Sequence, residues 1–334
     1  MFLSHFLKQL YNNSHDLNYP GFRLTEFEYI AQYSDHGKRA DQVLGQHLPE
    51  YSRSQIQKWV KDGQLRINQQ SCLKPNKPLK ENDQITLIIP PATPLIHAPQ
   101  NIALDIIHED HHILLINKPA NLTVHPGAGN PQDTLLNGLL MHDPKLIELP
   151  RAGIVHRLDK DTSGLMVIAK TIEAQNALIE MIKRREVTRI YLALTWGQTP
   201  LQFSVDAPIG RHKTKRTLMT VTASGKPAKT HFETIEKLGN FSLLSCKLET
   251  GRTHQIRVHL LHEGYPIIGD STYQKKIPLA YPVPWTTQQA INSLNRQFLH
   301  AHKLSFLHPL SHKSMQFECP LPLDLVSTLN QLRS

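Results

Sequence analysis

The chain has 334 residues, 40% hydrophobic and 19% charged, which excludes a disordered polymer and leaves room for two domains with a sizeable core. Its 37 Lys and Arg against 28 Asp and Glu give a formal charge of +9 before any of the 20 histidines is protonated, and such a surplus favours a polyanionic partner such as nucleic acid or an anionic membrane surface. The opening residues are too polar for a signal peptide, no run approaches a membrane span, and Cys72, Cys246 and Cys319 are too scattered for a disulfide framework or a Cys-x-x-Cys metal site, so a cytoplasmic protein is expected.

Residues 1–23 have mixed polarity, broken by Asn12-Asn13-Ser14 and Tyr19-Pro20-Gly21. They read as the poorly ordered part of an N-terminal arm covering 1–37, with a strand pattern over 24–33. Residues 38–89 read as a small separate module. A helix opens over 39–44. Ser52-Arg53-Ser54-Gln55 has the spacing of a capping box and starts a second helix, with Ile56, Trp59 and Val60 on its apolar side and Gly63 at its end. Residues 65–68 and 84–89 are the strands that follow. Arg39, Arg53 and Lys58 give the helices a basic face of the kind that meets RNA phosphates without reading bases, although a merely solvated face carries the same residues. Pro90, Pro91, Pro94 and Pro99 make a stiff linker over 90–101, and a larger domain is expected over 102–330.

In that domain the apolar runs 106–107 and 113–116 flank His108-Glu109-Asp110-His111-His112 and read as a hairpin with a polar tip. No second ligand cluster has metal spacing, so no metal is expected. A helix capped by Asp133 or Thr134 starts the 134–140 run. Next, Ile154 and Val155 and then residues 165–169 bracket His156-Arg157-Leu158-Asp159-Lys160-Asp161-Thr162-Ser163. The pattern predicts two buried strands joined by a charged loop, with Gly153 and Gly164 permitting sharp turns or close backbone approach. A rigid sheet carrying a polar loop is where chemistry tends to sit. A carboxylate beside an arginine stays ionised, which suits Asp159 to nucleophile or base rather than general acid, though an ordinary surface ion pair would contain the same residues. Ala174, Ala177, Leu178 and Met181 give 172–185 one apolar helix face, and 189–197 is a strand carrying Tyr191. Residues 205–229 are a basic, glycine-punctuated insertion with Arg211 and Lys213, suited to gripping phosphate or simply to solvation. Residues 241–248 form a strand, and Thr253 can cap a helix ending near Gly264. No Walker-type loop or dinucleotide fingerprint appears, and no cofactor is expected.

The string from His156 to Leu165 resembles the signature of the RluA family of RNA pseudouridine synthases, and Lys118-Pro119 with His125-Pro126-Gly127, Arg189-Ile190-Tyr191-Leu192, Gly251-Arg252-Thr253-His254-Gln255-Ile256-Arg257 and Leu299-His300-Ala301 resemble further family elements. Asn121 stands where some members have Gly. The 38–89 module is similar to an S4 RNA-binding domain in Ser52-Arg53-Ser54, Ile56, Gly63, Ile67-Asn68 and Asp83, with Ala40 in place of the usual Leu. The resemblance spans 38–330 and is greatest to the RluD-type branch, which acts on the large ribosomal subunit. It implies an α+β chain, an S4-like module followed by a catalytic domain on a mixed, mainly antiparallel sheet with flanking helices. It also implies conversion of uridine to pseudouridine in 23S rRNA, at a stem-loop near the decoding region, by a cofactor-free enzyme whose sequence demands no more than a monomer. By the same resemblance Asp159 is the catalytic residue, attacking C1′ or removing the 2′ proton. Arg257 pairs with it, Tyr191 packs on the target base, and Ile256 is an apolar wall. Lys118 and His156 belong to substrate-binding elements beside the site, and Arg157 is the candidate to fill the stack vacated by a flipped base. The alternatives are a non-catalytic RNA-binding or ribosome-assembly factor, the same chemistry on another rRNA or tRNA site, and a hydrolase, which would need a second carboxylate about 5–9 Å from Asp159.

Overall fold

The computed structural model describes residues 25–49, 51, 53–89, 98–127, 130–273 and 283–333; residues 1–24, Ser52 of the expected capping box, and Pro90, Pro91 and Pro94 lie outside them. The chain divides into two compact units at Ile96/His97. In the first, β1 (Thr25–Ile30), α1 (Ala40–His47), α2 (Arg53–Lys61), β2 (Leu65–Ile67), β3 (Gln70–Ser71) and β4 (Gln84–Ile89) form an antiparallel sheet of order β1-β4-β2-β3 with two helices. Alternate residues of β4 (Ile85, Leu87 and Ile89) are buried with Val43, Leu44, Ile56 and Val60 of the helices, as a sheet covered on one face requires. Asn68 and Gln69 turn β2 into β3 with φ of 51° and 64°, the left-handed pair that matches strand twist in a two-residue hairpin. Within the stretch read as an arm, β1 pairs with β4 along its whole length, so residues 25–30 are an edge strand of this sheet.

The second unit contains β5 (Asp105–Glu109), β6 (Ile113–Lys118), α3 (Leu135–His142), β7 (Ser163–Ala169), α4 (Ile172–Lys183), β8 (Thr188–Trp196), β9 (Gln202–Asp206), β10 (Ile209–Arg211), β11 (Met219–Val221), β12 (Lys229–Leu238), β13 (Phe241–Leu248), α5 (Gln255–His262), α6 (Trp285–Ser293), β14 (Leu299–Leu307), β15 (Ser314–Glu318) and α7 (Leu323–Arg333). Nine of its strands make one sheet in the order β5-β6-β7-β14-β8-β13-β12-β9, with β15 on β14. Only the β7–β14 pair is parallel, so the sheet is mixed and mainly antiparallel, in an α+β chain. Period-two alternation sends Leu114, Ile116, Met166 and Ile168 into one core. Ile113, Leu115, Leu165, Val167 and Ala169 enter another, with Ala174 and Leu178 of α4.

The strand expected at 154–155 does not form. Arg151, Ala152 and Gly153 are all left-handed, with φ of 55°, 51° and 76°, and Ile154 makes a lone bridge to Ile168. A Cβ on Gly153 would lie 1.9 Å from the Ala169 carbonyl oxygen, so the turn exists to bring this backbone against β7. The loop expected over 156–163 therefore enters β7 from a turn, not from a strand.

Candidate active site

That loop is held residue by residue from other parts of the fold. Asp159 Oδ2 accepts from Arg257 Nη1 at 2.9 Å, and the Lys160 carbonyl accepts from Lys118 Nζ at 3.0 Å. The Asp161 carbonyl accepts from Arg296 Nη1 at 3.1 Å, and Thr162 Oγ1 accepts from Gln297 Nε2 at 3.1 Å. Ser163 Oγ lies 2.9 Å from His300 Nδ1. His300 Nε2 faces the Cys319 carbonyl, which can only accept, so Nδ1 takes the Ser163 proton. Burial keeps that imidazole neutral, with its pKa pushed down to about 4.

Arg257, on α5, is the electrostatic centre. Its Nε and Nη2 grip Asp270 at 2.7 and 2.8 Å, leaving Nη1 for Asp159. The two-pronged pairing therefore falls on Asp270, and Asp159 receives a single bond. Burial alone would lower the guanidinium pKa, but the bonds and charges of Asp270 and Asp159 outweigh it and raise it. Thr253 does not cap α5. The cap position is His254, left-handed at φ 56°, and Gln255 ties the turn by accepting from Arg252 N and Thr250 Oγ1. His254 Nε2 lies 3.9 Å from Asp159 Oδ1, and its Nδ1 lies 2.7 Å from Tyr273 Oη.

The remaining candidates fall in different places. Tyr191 is buried on β8 in the core that also contains Leu158 and Ile256. Burial first, then the charge of Asp159 against that of Arg189, raises its phenol to about 12, so it stays protonated. Arg157 is exposed. Lys118 and His156, expected at the substrate, are committed to the protein itself. Lys118 is fully buried and gives its protons to the carbonyls of Pro119, Leu122 and Lys160 at 2.7, 2.9 and 3.0 Å. Burial pushes it down to about 7 against the pull of Asp161 and Asp159. His156 Nε2 accepts the Val167 N–H, and burial with the Arg189 charge pushes it down to about 3. Asn121, where a glycine is usual, has φ 64°, so the turn after Lys118 is left-handed as glycine would make it.

In the small unit, Arg39 and Arg53 converge on the buried Asp41, and Gln57 donates to the same carboxylate. Burial would raise Asp41, yet these bonds lower its pKa. Lys58 is exposed on α2, and Arg211, at the end of β10, and Lys213, in the loop that leads to β11, are exposed as well. At the β5–β6 tip, Asp110 accepts from the backbone of His112 and Ile113 and meets the rings of His108 and His308. Among the described residues no group of three or more His, Cys, Asp or Glu is placed to hold a metal ion, and no helix is long and apolar enough to cross a membrane.

The family model of RNA pseudouridylate synthases matches residues 112–262, which contain Asp159, Tyr191 and Arg257, and that of the S4 domain matches 38–85. The chain is 44% identical to the ribosomal large subunit pseudouridine synthase D of Haemophilus influenzae over 298 residues, 89% of this chain and 92% of that one. The chain belongs to the RNA pseudouridylate synthase family. The similarly named Escherichia coli K12 protein is 44% identical over 89% of this chain and 91% of its own, and that of Vibrio vulnificus 43% over 92% and 95%. Among solved structures, human RNA pseudouridylate synthase domain containing 4 matches with a TM-score of 0.56 at 26% identity, covering 69% of this chain and 93% of that one. Human RNA pseudouridylate synthase domain containing 1 gives 0.51 at 26%, over 68% and 87%. As a member of this synthase family, the chain is an RNA-modifying isomerase. Sequence reasoning missed Asp270, Arg296, Gln297 and Tyr273. The polar pair Arg296-Gln297, just before Leu299-His300-Ala301, was the available signal.

Proposed function

We propose that this chain converts uridine to pseudouridine in 23S rRNA of the large ribosomal subunit or its precursor, in the cytoplasm and as a monomer, with Asp159 as the catalytic residue. The observation that carries the reading is the carboxylate itself. It stands on a loop clamped along its length, has one oxygen fixed by a buried arginine, and leaves the other facing His254 Nε2 at 3.9 Å. The target nucleotide is flipped from its stack, and Arg157, exposed on that loop, takes the vacated place. The uracil then rests against Tyr191 and Ile256. The N1–C1′ bond breaks, the ring turns, C5 bonds to C1′, the C5 proton is lost and N1 gains one. The nucleotide keeps its formula, one proton leaving C5 for solvent and another arriving at N1, and no redox partner is consumed. Arg257 neutralises Asp159 and fixes its direction, while Lys118 and His156 support the loop rather than the substrate. The 38–89 module, through Arg39, Arg53 and Lys58, and the β10–β11 hairpin, through Arg211 and Lys213, supply phosphate contacts that hold the RNA in register.

The test is release of tritium from 5-tritiated uridine in 23S rRNA, free and within large subunits, by wild type beside Asp159→Asn. Release by wild type alone is expected. No release from either substrate would leave an RNA-binding assembly factor, and free uracil as product would indicate a hydrolase.

A further inference from the structure

The two oxygens of Asp159 have different surroundings. Oδ2 is taken by Arg257, whereas Oδ1 faces His254 Nε2 at 3.9 Å. That distance is too long for a hydrogen bond and is the separation at which one further oxygen can bridge two polar groups. His254 is not free to turn away. Its backbone is left-handed at the head of α5, and its Nδ1 lies 2.7 Å from Tyr273 Oη. Tyr273 is fixed in turn, because its oxygen accepts the Met219 N–H of β11 at 3.0 Å and its ring lies under the Arg257 guanidinium, 4.9 Å from Cζ to centroid.

This arrangement assigns the protons. Burial, against the attraction of Asp159, lowers the His254 pKa and favours the neutral ring. A phenol is a stronger donor than a neutral imidazole, and with Met219 N–H on one lone pair Tyr273 gives its proton to Nδ1. Nε2 then carries the hydrogen. The opposite tautomer would set a nitrogen lone pair against a carboxylate oxygen. The gap is therefore walled by one donor, Nε2–H, and one acceptor, Oδ1.

A group that satisfies both walls must donate and accept through a single atom. In a uridine within an RNA chain N3–H only donates, and O2, O4, the ring oxygen and the phosphate oxygens only accept. The 2′-hydroxyl does both, and it stands on the carbon next to C1′. We infer that His254 Nε2–H and Asp159 Oδ1 together hold the 2′-hydroxyl of the target uridine, with Tyr273 as the positioning residue that fixes the His254 tautomer. The inference rests on the pseudouridine synthase reading and adds to it a sugar-recognition contact. The pocket tells ribose from deoxyribose at one atom, and the contact sets C1′ against the carboxylate.

The experiment uses the full chain and a 23S rRNA fragment from which the wild type releases tritium, made with uridine or with 2′-deoxyuridine at the target. Affinity is read for both RNAs, the deoxy form as a competitor so that its value does not depend on turnover, and single-turnover rate is read for the ribose form. The variants are His254→Asn, His254→Gln and Tyr273→Phe. Asparagine accepts the left-handed backbone readily but is too short to replace Nε2, whereas the glutamine amide reaches that place. Loss of the hydroxyl should weaken wild-type binding by about tenfold, the scale of one hydrogen bond with a charged partner. His254→Asn should weaken binding of the ribose RNA and show a clearly smaller further loss on the deoxy RNA, because only the bond to Asp159 Oδ1 then remains. His254→Gln should recover part of the discrimination, and Tyr273→Phe should lie between. Equal deoxy penalties in wild type and His254→Asn would overturn the inference. Absence of tritium release from the ribose RNA by wild type would overturn the enzymatic reading beneath it.

Discussion

Replacing Asp270 by alanine separates what the two carboxylates on Arg257 do. Asp270 is the more buried, with its side chain 2% exposed against 16% for Asp159. It takes two bonds from the guanidinium, and its Oδ1 also accepts from the backbone of Thr272 and Tyr273. Each charge-assisted bond is worth about 1.5–3 kcal/mol, and stripping one partner from a buried ion pair costs about 3–5 kcal/mol because the remaining charge is left without its counter-ion. Asp159→Ala removes one such bond at a part-exposed carboxylate and leaves the Asp270 pair intact, so its stability cost should stay at the foot of that range, about 1.5 kcal/mol, while turnover disappears. The assay is urea unfolding of the full chain followed by near-ultraviolet circular dichroism, with tritium release measured on the same preparations. Asp270→Ala should lower the midpoint clearly more than Asp159→Ala. If the two lose equal stability, or Asp159→Ala loses more, the assignment of Asp270 as the structural partner is wrong.

Three further outcomes follow from other parts of the molecule. Lys118 is lowered to about 7 from its ordinary 10.5, so between those values the unfolded chain binds more protons and stability rises with pH, by up to about 1.4 kcal/mol per unit. The full cost of the buried ammonium is carried below about pH 7, and Lys118→Met should flatten the slope in denaturation midpoints taken from about pH 6.5 to 9; an unchanged slope would exclude Lys118 as its source. Gly164→Ala should destabilise by at least about 3 kcal/mol, since φ is 116° and a Cβ would lie 2.2 Å from the Ala301 oxygen. Gly239→Ala, left-handed at φ 57° but with open space around it, should cost only about 1–2 kcal/mol in the same thermal melts, and equal costs would mean that strain rather than the clash decides. Replacing Arg211 and Lys213 together by alanine should reduce the slope of log affinity against log salt by about two on any RNA, and an unaltered slope would move the phosphate grip elsewhere.

Local patterns predicted local structure well. The strands at 84–89 and 241–248 appear with those limits because apolar runs and turn residues are written in adjacent positions, the first strand alternating in burial and the second buried along most of its length. The hairpin around Asp110 and the helix from residue 172 follow for the same reason. What could not be read was geometry made by distant parts of the chain. Ile154 and Val155 have the composition of a strand, but three successive left-handed residues and the approach of Gly153 to Ala169 turn that backbone away from a ladder. Lys118 and His156 lie in motif-bearing strings, yet their partners are a set of carbonyls and a β7 amide, which no spacing rule reveals. Asp159 and Arg257 stand 98 positions apart and were joined only through family resemblance. Asp270 went unnoticed because nothing local tells a carboxylate that it will meet a buried guanidinium.

The clamps on the 156–163 loop also set an order of events during synthesis. Arg257 follows Asp159 by 98 residues, Arg296 and Gln297 follow their loop partners by 135, and His300 follows Ser163 by 137. Arg296 is itself steadied by Asp324 of α7, through two bonds at 2.6 and 3.1 Å. At translation speeds of about 5–20 residues per second, the loop waits on the order of ten seconds for its last support. A nascent chain that has already folded the small unit and begun the large sheet thus carries Asp159 without the frame that aims it. On the role proposed for Asp159, competence for chemistry arrives with the docking of α7, so a chain stopped short of that helix should lose turnover before it loses its fold.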